Sequence, residues 1–131
     1  MSTITPILGY RDPRAAIEFL CEAFGFERQL VVDGEDGGVV HAELRLGDAV
    51  VMLATASEGS GGRPAIAAGA HHLYVAVDDA DAHHRQAVAA GADVFEGPTD
   101  RDYGSREYGA RDAEGGVWWF GTYVPEPQPS A

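Results

Sequence analysis

A chain of 131 residues, 45% hydrophobic and 23% charged, is one domain's worth of globular sequence and excludes a disordered or fibrous class. Nine basic against 21 acidic side chains leave a net charge of −12, which excludes a basic surface for nucleic acid or an anionic membrane and eases the approach of a cationic ligand. The single cysteine, Cys21, excludes a disulfide framework and a cysteine-based zinc cluster.

Residues 4–10 are apolar and short, as a buried strand is. Asp12-Pro13 reads as a helix start, with Asp12 as N-cap and Pro13 at the first helical position. Ala16, Ile17, Leu20, Cys21 and Phe24 then recur at helical spacing, and Gly25 supplies the left-handed stop. Strands are expected over 26–32, 39–46 and 49–54, separated by turn chemistry at 33–38 and at Gly47-Asp48. The stretch 55–69 is polar and glycine-rich and reads as a mobile linker. A strand follows over 71–77. Asp78, Asp79 and Asp81 crowd the start of a second helix, which runs to about Ala90 and stops at Gly91. Strands over 92–95, 106–111 and 117–123 complete the chain, with a turn through Gly97-Pro98 after the first of them. Residues 125–131 hold three prolines and are expected to be frayed or extended. No apolar run approaches the ~20 residues of a membrane span. Residues 1–10 lack the basic-then-apolar order of a secretory leader, so the expected location is cytoplasmic.

The second half repeats the first. Asp12 to Gly25 spans 13 positions, as does Asp78 to Gly91, and Ala16 and Ala23 match Ala82 and Ala89 at one offset. The expected fold is therefore α+β: two tandem β-α-β-β-β modules, 1–54 and 70–124, forming a cupped mixed sheet, with linker 55–69 and tail 125–131. A helix covers one face of each small sheet and leaves the other bare. Two such sheets side by side would curl into a cup roomy enough for a ligand. Their edges and bare faces call for a symmetric partner, so a homodimer is expected.

Three stretches carry a resemblance. YRDPRAAIEFLCEAFGF and HHLYVAVDDADAHHRQAVAAGA are similar to the two strand-helix units of the vicinal oxygen chelate superfamily, the glyoxalase/bleomycin resistance/dioxygenase group. GSREYGARDAEGGVWWFGTY resembles its final hairpin, where a D-x-x-G turn precedes the last strand. The Arg-Glu ahead of that turn is similar to the bleomycin-resistance-like branch. The resemblance implies a dimer or a pseudo-dimeric cup, and no particular reaction. Metal-dependent members carry four ligands on the cup face, usually His, Glu, His and Glu. Carried over, those positions fall at about Thr5 and at Met52, His72 and Trp119. Only His72 is a competent ligand. One-residue slips reach Val51, Leu53, Trp118 or Phe120 and do no better. A metal in the usual place is not expected, nor is a cofactor, although His72, His41 and Glu43 could build a different site.

On this carry-over Trp119, Met52, His72, Tyr74 and Val50 form an apolar and aromatic cup floor, suited to a planar or cationic organic molecule. The alternative is that Trp119 and Met52 pack on each other and close the cavity. Trp118 and Phe120 face the opposite way, into the core. His41 and Glu43 share a strand face with Arg45, either as cup wall or as an exposed polar face. Of Arg106 and Glu107, adjacent on a strand, one points in and one out; they are a surface charge pair or a cup rim. Tyr103, Gly104 and Tyr108 suggest a rim loop. His71 points away from His72, and His83 and His84 read as solvated helix surface. No catalytic triad, phosphate-cradling glycine loop or catalytic carboxylate pair can be placed, and Cys21 reads as core. Three functions stay open: a metal-free protein that sequesters a small organic ligand, a lyase, isomerase or dioxygenase with an atypical metal site, and a metal-free enzyme with His72 as general base.

Overall fold

The computed structural model describes residues 1–130, so the last residue of the tail lies outside the described residues. The elements run β1 (Ile7–Tyr10), α1 (Pro13–Phe24), β2 (Glu27–Asp33), β3 (Val39–Leu46), β4 (Ala49–Thr55), β5 (His72–Ala76), α2 (Ala80–Ala89), β6 (Asp93–Asp100), β7 (Arg106–Arg111) and β8 (Val117–Gly121). They form two four-stranded mixed sheets, ordered β1-β4-β3-β2 and β5-β8-β7-β6, with one helix from each module. In each sheet the first strand pairs parallel with the last and the other pairs are antiparallel. The repeat extends to register: Ile7 pairs with Met52 as Tyr74 pairs with Trp119, a shift of 67 at both members. No described helix is long and apolar enough to cross a membrane.

Local chemistry explains the helix ends. The Asp12 carboxylate accepts from the Ala15 N–H, Pro13 opens the helix, and Gly25 closes it at φ +83°. In the second module the cap is Asp79, not Asp78, and its carboxylate accepts from the Ala82 N–H. The C-cap of this helix is Ala90 rather than Gly91, so the second helix spans 10 residues against 12 in the first although the two Asp-to-Gly spacings in sequence are equal.

Three expectations are corrected. β6 does not end before Gly97-Pro98 but runs through it. It is the edge strand of its sheet, where a proline's missing N–H removes no necessary ladder bond. The stretch 55–69 is pinned: Ser57 and Ile66 exchange backbone hydrogen bonds of 2.9 and 2.8 Å, and Ala68 bridges Gly9. His83 is not solvated surface. Its Nε2 lies 2.8 Å from the Phe24 carbonyl and must donate to it, so in the neutral ring Nδ1 accepts from the Tyr108 hydroxyl at 2.5 Å. Phe120 lies against the same ring, with centroids 4.2 Å apart.

Both sheets turn one face into a common core. Leu8, Tyr10, Ala42, Leu44 and Leu53 come from the first sheet, Tyr108, Ala110, Trp118 and Phe120 from the second, and Leu20 and Phe24 from α1. The helices α1 and α2 touch, whereas no strand of one sheet neighbours a strand of the other. Cys21 sits half-buried against this core, and burial pushes its thiol pKa up. Polar clasps bind the modules: the Tyr10 hydroxyl donates to Asp112 (2.6 Å), and the Arg11 and Asp12 N–H groups donate to the two oxygens of Glu114 (2.7 and 2.9 Å). The other face of each sheet turns away from the core and is bare.

Candidate functional site

The bare face of the second sheet is built around two glycines. Gly109 on β7 is the register partner of Trp119 on β8. A Cβ on Gly109 would sit 2.9 Å from the indole Cζ3 and closer still to the Phe95 ring. A Cβ on Gly121 would sit 2.5 Å from Glu107 Cγ and 2.7 Å from the Tyr74 hydroxyl. With hydrogen in both places, these four larger side chains lie down on the sheet. Phe95 reaches this face through a bulge: β6 pairs Val94 with Ala110 and Glu96 with Gly109, so Phe95 is the extra residue. It meets Trp119 edge-on, with centroids 5.0 Å apart and planes at 86°.

Charge is threaded through these rings. The Arg101 guanidinium sits 6.0 Å from the Trp119 ring centre, and that of Arg111 sits 4.9 Å from the Phe95 ring centre. Arg101 Nε donates to Glu107 at 3.2 Å, and its Nη2 pairs with Glu96. Glu107 is only 6% exposed and also accepts from the Tyr103 hydroxyl at 2.8 Å. Burial alone would raise the Glu107 pKa, but hydrogen bonds from Tyr103, Ser105 and Arg101 hold it below the usual carboxylate range. The Tyr74 hydroxyl donates to the Tyr123 carbonyl at 2.6 Å. His72 shares this face by alternation with Tyr74 and is exposed.

The bare face of the first sheet carries a second group. His41 Nε2 lies 3.1 Å from Glu43 Oε2, and Gln29 donates to Oε1 of the same carboxylate at 3.1 Å. The hydrogen bonds from His41 and then Gln29 lower the Glu43 pKa. Met52 is the register partner of Glu43, and Val50 that of Arg45, which pairs with Glu27. The structure thus gathers His41, Glu43, Val50 and Met52 on one face and Trp119, His72, Tyr74 and Glu107 on the other. It does not bring the two groups together within one chain.

Two residues expected at the site lie elsewhere. Arg106 turns to the helix side, where Nε contacts both oxygens of Asp81 at 3.0 and 3.1 Å and Nη1 contacts Asp100. It ties β7 to α2. Tyr108 is no rim residue but is fully buried against His83. Tyr103, expected in a rim loop, donates to Glu107 on this face, whereas Arg101, Glu96 and Phe95 are not among the residues expected there. The turn-like DRDYGSRE stretch, residues 100–107, is the only local signal near Arg101, and no local pattern aims an arginine at an indole. Asp112 reads in the sequence only as the first residue of the D-x-x-G turn. Buried, it accepts from Tyr10, from Trp118 Nε1 (2.9 Å) and from the N–H groups of Glu114 and Gly116. His71 Nε2 stops 3.6 Å away, and burial lowers the His71 pKa. A groove of about 980 Å³ lies apart from both bare faces, at the start of α1 beneath 57–66. Its Arg14 is held by Asp33, and its Asp12 and Asp36 accept from backbone N–H groups, while Arg11, Glu58 and Arg63 also line it.

A sequence model of the glyoxalase/bleomycin resistance protein/dioxygenase superfamily matches residues 4–120. The chain belongs to this superfamily. An uncharacterised protein of Mycobacterium bovis is 32% identical over 134 aligned positions, covering 94% of this chain and 84% of that protein. Among solved structures, TioX from Micromonospora sp. ML1 is similar with a TM-score of 0.81 and 31% identity, covering 94% of this chain and all of that one. The lactoylglutathione lyase of Agrobacterium tumefaciens shares the fold at a TM-score of 0.71 and 22% identity, over 92% of this chain and 93% of its own.

The four-ligand metal arrangement of the superfamily does not fit the side chains present. Met52 offers a thioether and Trp119 an indole without a lone pair, and Thr5 precedes β1. His41 is engaged with Glu43, and among the described residues no three His, Cys, Asp or Glu side chains converge.

Proposed function

We propose that this superfamily member is a metal-free binding protein that sequesters a small organic molecule, planar or cationic, in the manner of the bleomycin-resistance branch. The observation that carries the reading is Trp119. An indole stands where a metal-dependent member would carry its last ligand, held over Gly109 on the sheet face that turns away from the core. A large aromatic surface in that place stacks on planar molecules and attracts cations. The net charge of −12 favours the same ligands. His72, by contrast, has no hydrogen-bond partner among the described residues to orient it as a base.

The cup belongs to a homodimer in this reading. Each copy exposes apolar side chains on its bare faces, including Ile7 at 63% and Phe95 at 37%. Laying the first sheet of one copy across from the second sheet of its partner sets Met52, Val50, His41 and Glu43 opposite Trp119, Tyr74 and Glu107. The test combines light scattering at micromolar concentration with titration of a planar organic cation, proflavine, before and after chelation of divalent metal. A dimer that binds one dye per cup, unchanged by chelation, is expected. A monomer, or binding that requires metal, contradicts the reading.

A further inference from the structure

We propose that Arg101 is a tethered stand-in for the natural ligand: its side chain occupies a seat built for the guanidinium group of a small molecule. The inference rests on the binding reading above and names the chemical class that the site selects.

The seat has a floor and two walls. The floor is the Trp119 ring, 6.0 Å from the guanidinium carbon. The walls are Glu107, which takes Nε at 3.2 Å, and Glu96, which takes Nη2. Nε and Nη2 lie along one edge of the guanidinium plane, so two carboxylates read one edge while the ring lies under the group. A planar, fork-shaped cation satisfies all three contacts at once; a spherical ammonium meets the carboxylates without offering a flat face.

Exchange is feasible because the tether is local. The backbone of Arg101 is fixed by the turn between β6 and β7, through Arg101 N–H to the Ser105 carbonyl (2.7 Å) and Gly104 N–H to the Arg101 carbonyl (3.1 Å). Its side chain is 26% exposed and can swing into water without moving that turn. What it leaves behind sets the selectivity. Glu107 is buried, and a buried carboxylate that loses a donor is penalised. A neutral planar ligand would leave that place empty. An incoming guanidinium restores both the hydrogen bonds and the charge, so one cation replaces another.

The test removes the stand-in. Agmatine, which carries a guanidinium, and cadaverine, which carries an ammonium in its place, are titrated calorimetrically into wild type and Arg101→Ala. Arg101→Gln, whose amide keeps a donor toward Glu107, serves if the alanine variant does not fold. Either variant is expected to bind agmatine about tenfold more tightly than wild type does, and about tenfold more tightly than cadaverine, on the scale of one desolvated cation–aromatic contact. Adding Trp119→Ala should abolish that gain. Equal agmatine affinity in wild type and variant, or no preference over cadaverine, overturns the proposal. A neutral planar probe, 2-naphthol, separates the two readings. If it binds wild type at Trp119 while agmatine gains nothing in the variant, the guanidinium seat is wrong and the binding reading stands. If neither compound binds either protein, both are wrong.

Discussion

Gly109 lies directly beneath Trp119: the two are register partners on adjacent strands, and the space a β-carbon would fill is taken by the indole and by Phe95. The aromatic surface of the second sheet therefore depends on a missing side chain as much as on those present. Gly109→Ala should force Phe95 and Trp119 off the sheet. The expected cost is about 1–3 kcal/mol of stability, typical of overpacking, together with weakened ligand binding. Urea denaturation and dye titration of the variant check both.

The two adjacent tryptophans should behave oppositely. Trp118 is fully buried between the modules, packed on Phe24 and Phe26 and donating to Asp112. Trp118→Ala should cost about 3–5 kcal/mol of stability. Trp119 faces outward, so Trp119→Ala should alter stability far less. Denaturant midpoints of the two variants, compared at equal m-value, distinguish them.

Acid should loosen the seam between the modules. Burial lowers the His83 pKa, with the Phe24 carbonyl opposing, and burial likewise lowers that of His71. In both cases the folded state holds its proton less tightly than an unfolded imidazole of ordinary pKa, about 6.5. The unfolded chain then binds more protons as pH falls through that value, and stability is lost. Full stability is expected above about pH 7, declining toward the lower folded-state values. Glu107 adds a loss of the same sign at lower pH, since its folded pKa lies below the ordinary carboxylate value. Unfolding free energies measured between pH 7 and 5 for wild type and His83→Gln should show a shallower slope in the variant.

Asp112 is the polar centre of the same seam. Tyr10→Phe removes the shortest of its hydrogen bonds and leaves it the N–H groups of Trp118, Gly116 and Glu114. A loss of about 1–3 kcal/mol in urea denaturation is expected, the scale of a buried charged acceptor deprived of one donor.

Much of the fold was legible because its signals are local. The bounds of β3 and β7 follow from alternation between turn residues, and α1 from Asp12-Pro13 at one end and Gly25 at the other. What escaped depends on contacts between distant residues. Gly97-Pro98 reads as a turn until β6 is known to be an edge strand. His83 reads as surface because its partners, Tyr108 and Phe24, lie 25 and 59 residues away. Alternation says that Arg106 and Glu107 point oppositely, but which one faces out depends on where α2 places Asp81. The link from Arg101 to Trp119 had no local trace, because a bulge and a hairpin turn bring the two together.

In the proposed function an outward-facing indole stands at the place of a metal ligand and makes the site a receptor for organic molecules. The most direct test of that function is proflavine titration of wild type and Trp119→Ala, monitored by dye fluorescence. The account predicts saturable binding to wild type, weakened about 10- to 100-fold in the variant, on the scale of a lost aromatic anchor. Equal affinity in the two proteins, or wild-type binding that appears only when a divalent metal is added, would contradict it.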